Sequence, residues 1–559
     1  MKKLWNAHSK IDCACRHVAV DLRMALSLVF LVSAEAFAAI PSPSLSRAQV
    51  IHVNAADPQA SDQNPGTERL ALKTIGRAAD LARQNSKNGI ETRIVLYPGT
   101  YRESVNLEIG EGETDAPVVL EAKEKGKTIV SGSDVWSDWE QKGPPDIYVH
   151  VWPFRWGLAR NPWQRDGINL NPAGLRREMI FLDGKLLEQV LAPQDLREGS
   201  FLVSEEEGLV YLHLAPGTDI RRATIEVSTR DSILKVSRKK GLSIKGLVFQ
   251  HANTPVGGGA AVMVADSSDI VIEDCQFIWN NWGGFILNTS RGVKARRNSA
   301  NFNGASGIVT WKVTDIVMEE SETSYNNWRG AKGGFFGWAV AGQKNMRTHK
   351  GIYRKHKAIG NQARGLWFDF DNSDIVIEDA LLCNNLISGL YIESSQGPIE
   401  SRRLILCNNQ RGTGLLAANS SNVTVKDSII YGNSGSQITI SGPKAIREVT
   451  NWETGEVMQL KTERWTLKDT VIAAKSTGQF LLAMPVWAQQ YFLADLTSRG
   501  NVWYHPSKEA VFRLGQNNLT FSAWQSLSGQ DLGSVFADPK FADPDNYQFT
   551  PLPGSPLRR

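Results

Sequence analysis

Hydrophobic and polar residues alternate in short runs along most of this chain, and the runs recur with a fixed period. Gly365-Leu-Trp-Phe-Asp-Phe370, Asp374-Ile-Val-Ile-Glu378 and Cys383-Asn-Asn385 form one phrase. It returns as Gly389-Leu-Tyr-Ile-Glu393 with Leu404-Ile-Leu-Cys-Asn-Asn409, and again as Gly414-Leu-Leu-Ala-Ala418, Asn422-Val-Thr-Val-Lys426 and Tyr431-Gly-Asn433. Alternation of period two marks strands, and Gly, Asn and Ser mark the turns between them. One asparagine per phrase, at Asn303, Asn327, Asn361, Asn385, Asn409 and Asn433, gives steps of 24, 34, 24, 24 and 24 residues. A 24-residue unit without a helical pattern cannot bury its apolar face alone, whereas stacking such units in parallel buries it. The pattern predicts an all-β fold, a right-handed parallel β-helix of the pectate-lyase-like solenoid type, with the asparagines laddered along one corner.

Around this repeat the chain divides into four parts. Residues 1–38 read as a signal peptide: Lys2, Lys3, Arg16 and Arg23 precede the apolar run Met24–Ala34 and the small-residue site Ala36-Phe-Ala38. That run is shorter than the roughly 20 residues a membrane span needs. A retained anchor is the alternative, and the start codon lies at Met1 or Met24. The reading is an exported protein, periplasmic or extracellular, with no membrane partner after cleavage. Residues 39–135 supply an N-terminal cap, including an amphipathic helix at 74–83, and the first coils. Residues 136–230, with Trp136, Trp139, Trp152, Trp156 and Trp163, break the period and predict an inserted β-sandwich-like domain. Residues 231–559 hold the main β-helix, with regular coils to about 440, and a C-terminal tail. The near balance of 62 basic and 58 acidic residues gives no reason to expect nucleic acid. Signal cleavage leaves Cys275, Cys383 and Cys407; the last two, one period apart, are expected as an inward-facing stack at a spacing that would also permit a disulfide.

Superposing the phrases sets Trp367 over Tyr391 and Asp369 over Glu393. Alternation turns Leu366, Phe368 and Phe370 inward, and Trp367, Asp369 and Asp371 outward. Equivalent positions on other coils, Leu287, Trp311 and Ala417, are not acidic, so the cluster is local. Like charges about 4.8 Å apart on adjacent strands are unfavourable and raise one pKa. Catalysis would account for that cost, since a carboxylate pair about 5–5.5 Å apart is the geometry of retaining glycoside hydrolysis. A bridging Ca²⁺ is a second account, and a solvated acidic patch a third.

Gly365-Leu-Trp367-Phe-Asp369-Phe, followed one coil later by Leu390-Tyr-Ile-Glu393-Ser-Ser-Gln-Gly397-Pro398, resembles the paired motifs of glycoside hydrolase family 120. The resemblance implies a β-helix intertwined with a β-sandwich domain, Asp369 as nucleophile and Glu393 as acid/base, with no required cofactor. The expected activity is retaining hydrolysis of xylo- or uronate-containing oligosaccharides. Asp371, Gln396, Lys344 and His349 are candidate substrate contacts, and Trp311, Trp338, Trp367 and Tyr391 candidate stacking faces. Basic residues from Lys344 to Lys357 are expected on a ten-residue excess loop just before Asp369, which could overhang the acids, although a solvated loop is the commoner outcome for a charge run. A polysaccharide lyase using β-elimination and a non-catalytic carbohydrate-binding surface protein are the alternatives. Oligomeric state is not readable from the residues.

Overall fold

The computed structural model describes residues 48–108, 115–143, 146–442, 445–507 and 509–557. The export segment and its two candidate start sites lie outside them. The 24-residue phrases wind into rungs of three parallel strands. One face stacks, among others, Ala260–Ala265, Arg364–Asp369, Ser388–Glu393, Thr413–Ala418 and Ser436–Ser441. A second stacks Ser268–Glu273, Ser373–Glu378, Ile399–Arg402, Ser421–Lys426 and Glu463–Lys468. The third stacks Lys357–Ile359, Leu381–Cys383, Ile405–Cys407, Ile429–Tyr431 and Val471–Ala473. Inward positions repeat from rung to rung, so Leu366, Leu390 and Leu415 stack fully buried in one continuous core. Each such leucine contributes about 1.5–3 kcal/mol.

The asparagine ladder runs Asn280, Asn303, Asn326, Asn361, Asn385, Asn409, Asn433 and closes on Gln437. Each side-chain amide donates to the next side-chain oxygen at 2.7–3.2 Å. The expected member Asn327 is replaced by its neighbour Asn326; Asn327 has a left-handed backbone and opens the short helix Trp328–Lys332. The ladder explains the glycine that opens each phrase. A Cβ at Gly284, Gly307, Gly342, Gly365, Gly389 or Gly414 would lie 2.6–3.0 Å from a ladder amide nitrogen, so only glycine lets the strand pass.

The extra residues before Asn361 occupy that helix and the turn after it. The basic run is therefore not an overhanging loop: Ala341–Arg354 is a strand of the solenoid wall. Within the run, His356 is buried against Thr323, and Arg354 pairs with Glu319 and Glu378. Cys383 and Cys407 are joined by a disulfide rather than merely stacked.

The ends are closed by helices. Ile75–Lys87, N-capped by the Thr74 side chain, buries Ile75, Ala78, Ala79 and Ala82. At the other end Phe521–Ser528 buries Trp524 against Phe512. Such caps deny a partner to the terminal strand edges. Between Gly132 and Thr229 the chain forms a four-stranded and a five-stranded sheet. These share an apolar core of Trp152, Ile180, Phe201, Val210, Leu212, Ile225 and Val227. Their junction with the solenoid is close: the buried Arg329 reaches the Gln189 side chain and the Glu178 carbonyl oxygen, and Gly174 packs on Gly333. Among the described residues no helix is long and apolar enough to cross a membrane.

Candidate functional site

Asp369 and Glu393 end adjacent parallel strands in direct register. They alternate with the core residues Leu366 and Phe368, and Leu390 and Ile392, so both occupy the outer side of the wall. Their column continues through Met346 to Trp311 and through Ala418; one rung beyond Trp311, three from Asp369, the equivalent position is Asn288, not Leu287. The neighbouring column reads Val309, Lys344, Trp367, Tyr391, Leu416.

This second column neutralises the first. Lys344 Nζ lies 2.8 Å from Asp369 Oδ2, and both side chains are 7% exposed. The same ammonium sits 3.6 Å from the centre of the Trp367 ring, whose other neighbour is the Tyr391 ring at 5.2 Å. The Arg364 guanidinium lies over both rings, at 4.5 and 4.8 Å. Trp367 and Tyr391 are consequently buried, not open platforms for a sugar: cations lie on their faces. Trp311 and Trp338 remain exposed, at 37% and 44%. Trp338 lies in the turn after Trp328–Lys332, next to Gly337, whose carbonyl oxygen accepts from Arg364.

Glu393 is 14% exposed and takes its cation from elsewhere in the chain. Arg447 Nη1 reaches Glu393 Oε1 at 2.8 Å, and its guanidinium covers the Phe370 ring at 4.2 Å. Arg447 begins the hairpin Arg447–Thr450/Val457–Leu460, which lies outside the repeat. Burial raises the Glu393 pKa, the Asp369 charge raises it further, and Arg447 offsets only part of the effect. Asp369 Oδ1, Trp367 Nε1 and Arg364 Nε are buried without a hydrogen-bond partner. Such buried polar groups need a partner, from water or from a bound molecule.

Asp371 leaves this group. Phe370 and Asp371 both adopt left-handed backbone, at φ 55° and 54°, so strand alternation stops at Asp369. Phe370 does not enter the core and Asp371 is not an outward neighbour of Asp369. Asp371 is fully buried, accepting from Gln396 Nε2 at 2.8 Å and from the Trp452 backbone N–H at 2.7 Å, with His349 Nε2 at 3.1 Å. His349 also bonds Glu453 at 2.5 Å. Its burial works against the charged ring, but the hydrogen bonds to Asp371 and Glu453 prevail and raise its pKa. Asp371, His349 and Gln396 thus fasten the hairpin to the wall. Arg364, Arg447 and Trp452 were not anticipated. The turn-forming stretch Asn451–Gly455 between two extended runs is the signal that marked the hairpin. Among the described residues no group of three or more His, Cys, Asp or Glu is arranged to hold a metal ion.

Residues 232–406 match the family model described as right handed beta helix region. The fold is a right-handed parallel β-helix. Among solved structures, XylC in complex with xylose aligns over 88% of this chain and 87% of its own, at 14% identity and a TM-score of 0.65. The A-module of a mannuronan C-5 epimerase from Azotobacter vinelandii aligns over 87% and 100%, at 12% identity and a TM-score of 0.49. A protein described as a glycoside hydrolase aligns over 70% and 95%, at 13% and 0.45. At these identities the likeness is one of β-helix fold. No curated protein sequence matches this chain significantly.

Proposed function

We propose that this β-helix protein is a carbohydrate-active enzyme, a retaining glycoside hydrolase acting on xylo- or uronate-containing oligosaccharides. Asp369 is the nucleophile and Glu393 the acid/base. The observation that carries this reading is the unequal electrostatics of two neighbouring carboxylates. Lys344 compensates Asp369, which keeps one oxygen unpartnered, while burial and the Asp369 charge raise the Glu393 pKa. Placing two neighbouring carboxyls in such different environments divides the roles of nucleophile and acid. Adjacent parallel strands lie about 4.8 Å apart, close to the roughly 5–5.5 Å separation of retaining enzymes.

In the first step Glu393 donates its proton to the leaving glycosidic oxygen as Asp369 attacks the anomeric carbon. In the second, Glu393 takes a proton from water, which displaces Asp369 and restores the anomer. This chemistry requires no cofactor. Export to the periplasm or cell exterior belongs to the same reading and is supported by the Cys383–Cys407 disulfide, which persists in oxidising compartments.

The test is turnover on a panel of aryl glycosides and oligosaccharides, with the xyloside first in view of the xylose-bound structural neighbour. Asp369→Asn should abolish hydrolysis, and Glu393→Gln should slow it by about 10²–10⁴-fold on poor leaving groups. Full activity of Asp369→Asn, inversion of the product anomer, or an unsaturated ultraviolet-absorbing product would remove this mechanism.

A further inference from the structure

Beside the acid pair, on the rungs toward the N-terminal end, lies a set of donors with no acceptor. Lys312 and Arg347 precede Phe370 at the same left-handed bend position of successive rungs, at φ 54°, 54° and 55°. The Arg347 N–H donates to the Phe370 carbonyl at 2.8 Å, which holds Arg347 one rung from the residue following Asp369. The Arg347 guanidinium lies 4.9 Å over the exposed Trp311 ring, and Lys312 Nζ lies 5.9 Å from the Trp452 ring. Trp452 is held by its backbone bond to Asp371.

These cations differ from their neighbours. Arg354, Arg402 and Arg403 all engage Glu378, Lys344 engages Asp369 and Arg447 engages Glu393. Lys312 and Arg347 have no carboxylate within ion-pair distance among the described residues. The nearby acids Asp371 and Glu453 are committed to His349. Arg347 Nε and Trp452 Nε1 are, in addition, buried donors without a partner. A site with two spare positive charges and two spare N–H donors is complementary to an anion. The fork of N–H groups on the Arg347 guanidinium matches a planar carboxylate, a bidentate fit that a neutral sugar lacks.

We propose that Arg347 and Lys312, carried by Trp311 and Trp452, bind the carboxylate of a uronic acid in the sugar adjoining the cleaved bond. This rests on the hydrolase reading and narrows its substrate class to acidic oligosaccharides. Rungs are spaced about 4.8 Å, so an anchor one rung from Phe370 suits a sugar next to the one held at Asp369 and Glu393.

Two measurements on the full-length mature protein test it. In kinetics, the ratio of kcat/KM for a uronate-bearing xylo-oligosaccharide over its neutral, carboxyl-reduced counterpart should exceed one. It should drop about 10-fold or more in Arg347→Gln, less in Lys312→Gln, and recover in part in Arg347→Lys. An unchanged ratio in Arg347→Gln overturns the proposal while leaving the hydrolase reading intact. In calorimetry on the Asp369→Asn protein, the acidic oligosaccharide should bind more tightly than the neutral one and lose that advantage with Arg347→Gln. Should the wild-type protein turn over no glycoside, the hydrolase reading falls and calorimetry still decides the subsite: equal affinity for acidic and neutral sugars refutes it.

Discussion

The Lys344–Asp369 pair offers a sharp energetic test because both partners are withdrawn from water. Their atoms are 2.8 Å apart and each side chain is 7% exposed, so neither charge is well solvated if the other is removed. Lys344→Met leaves the carboxylate uncompensated and also strips the ammonium from the Trp367 face. Breaking a buried pair from one side costs about 3–5 kcal/mol. Asp369→Asn leaves a buried ammonium and should cost a similar amount, reduced by whatever the amide oxygen accepts from Lys344. The double variant Lys344→Met/Asp369→Asn buries no net charge and should recover most of the loss, giving a coupling energy of about 3 kcal/mol. Urea unfolding followed by tryptophan fluorescence measures all four corners of the cycle. A coupling below about 1 kcal/mol would mean that the pair behaves as a solvated surface bridge. The account of Lys344 and Asp369 as a dry ion pair would then be wrong.

Three further outcomes follow from the same geometry. Arg447 lowers the Glu393 pKa against burial and the Asp369 charge, and Glu393 acts in its protonated form. Arg447→Gln should therefore move the basic limb of the pH–kcat/KM profile upward, and a downward move would contradict the assignment. Replacing Cys383 and Cys407 by alanine opens a 24-residue loop, for which chain entropy predicts a loss of about 3 kcal/mol in denaturant unfolding; no change would show that the ladder alone constrains these rungs. Gly365→Ala would put a Cβ 2.6 Å from the Gly389 carbonyl oxygen and 2.7 Å from the Asn385 amide. It should cost about 1–3 kcal/mol, against little for Gly478→Ala, where nothing lies within 4 Å.

Periodicity made the solenoid legible because the physical cause of each rung repeats with it. A leucine must return to the core, a glycine must clear a ladder amide, and an asparagine must meet the next, all at the same interval. Spacing failed where the period changes: the steps from Asn280 through Asn303 to Asn326 are 23 residues, so a fixed step of 24 lands one residue late. Asn326 and Asn327 are adjacent, and the backbone separates them: Asn326 extends the ladder while Asn327 turns left-handed into a helix. Spacing likewise counts the extra residues before Asn361 without locating them. They form the helix and turn ahead of Ala341, so the basic residues expected on a loop are wall residues, and Lys344 meets Asp369 through register rather than by overhanging it.

The acid pair was legible for the same reason, whereas what surrounds it was not. Glu393 lies one rung from Asp369, so their proximity is a consequence of period. Alternation then misled at Asp371, because it holds only while the backbone stays extended, and two consecutive left-handed residues ended the strand one position after Asp369. The cover over Glu393 obeys no period at all: Arg447 is 54 residues away, on a hairpin inserted into the coil. That division has a physical logic. A repeat supplies equivalent environments to equivalent positions, so it cannot by itself give two stacked carboxylates different proton affinities. Difference has to enter through something that breaks the repeat, and here two things do. Near the acids the column reads Val309, Trp367, Tyr391 and Leu416 except for Lys344 beside Asp369, and a hairpin from outside the rungs brings its arginine to the other acid. The chemistry of the pair therefore rests on the least periodic residues near it, which are the ones a reading by spacing is least equipped to find.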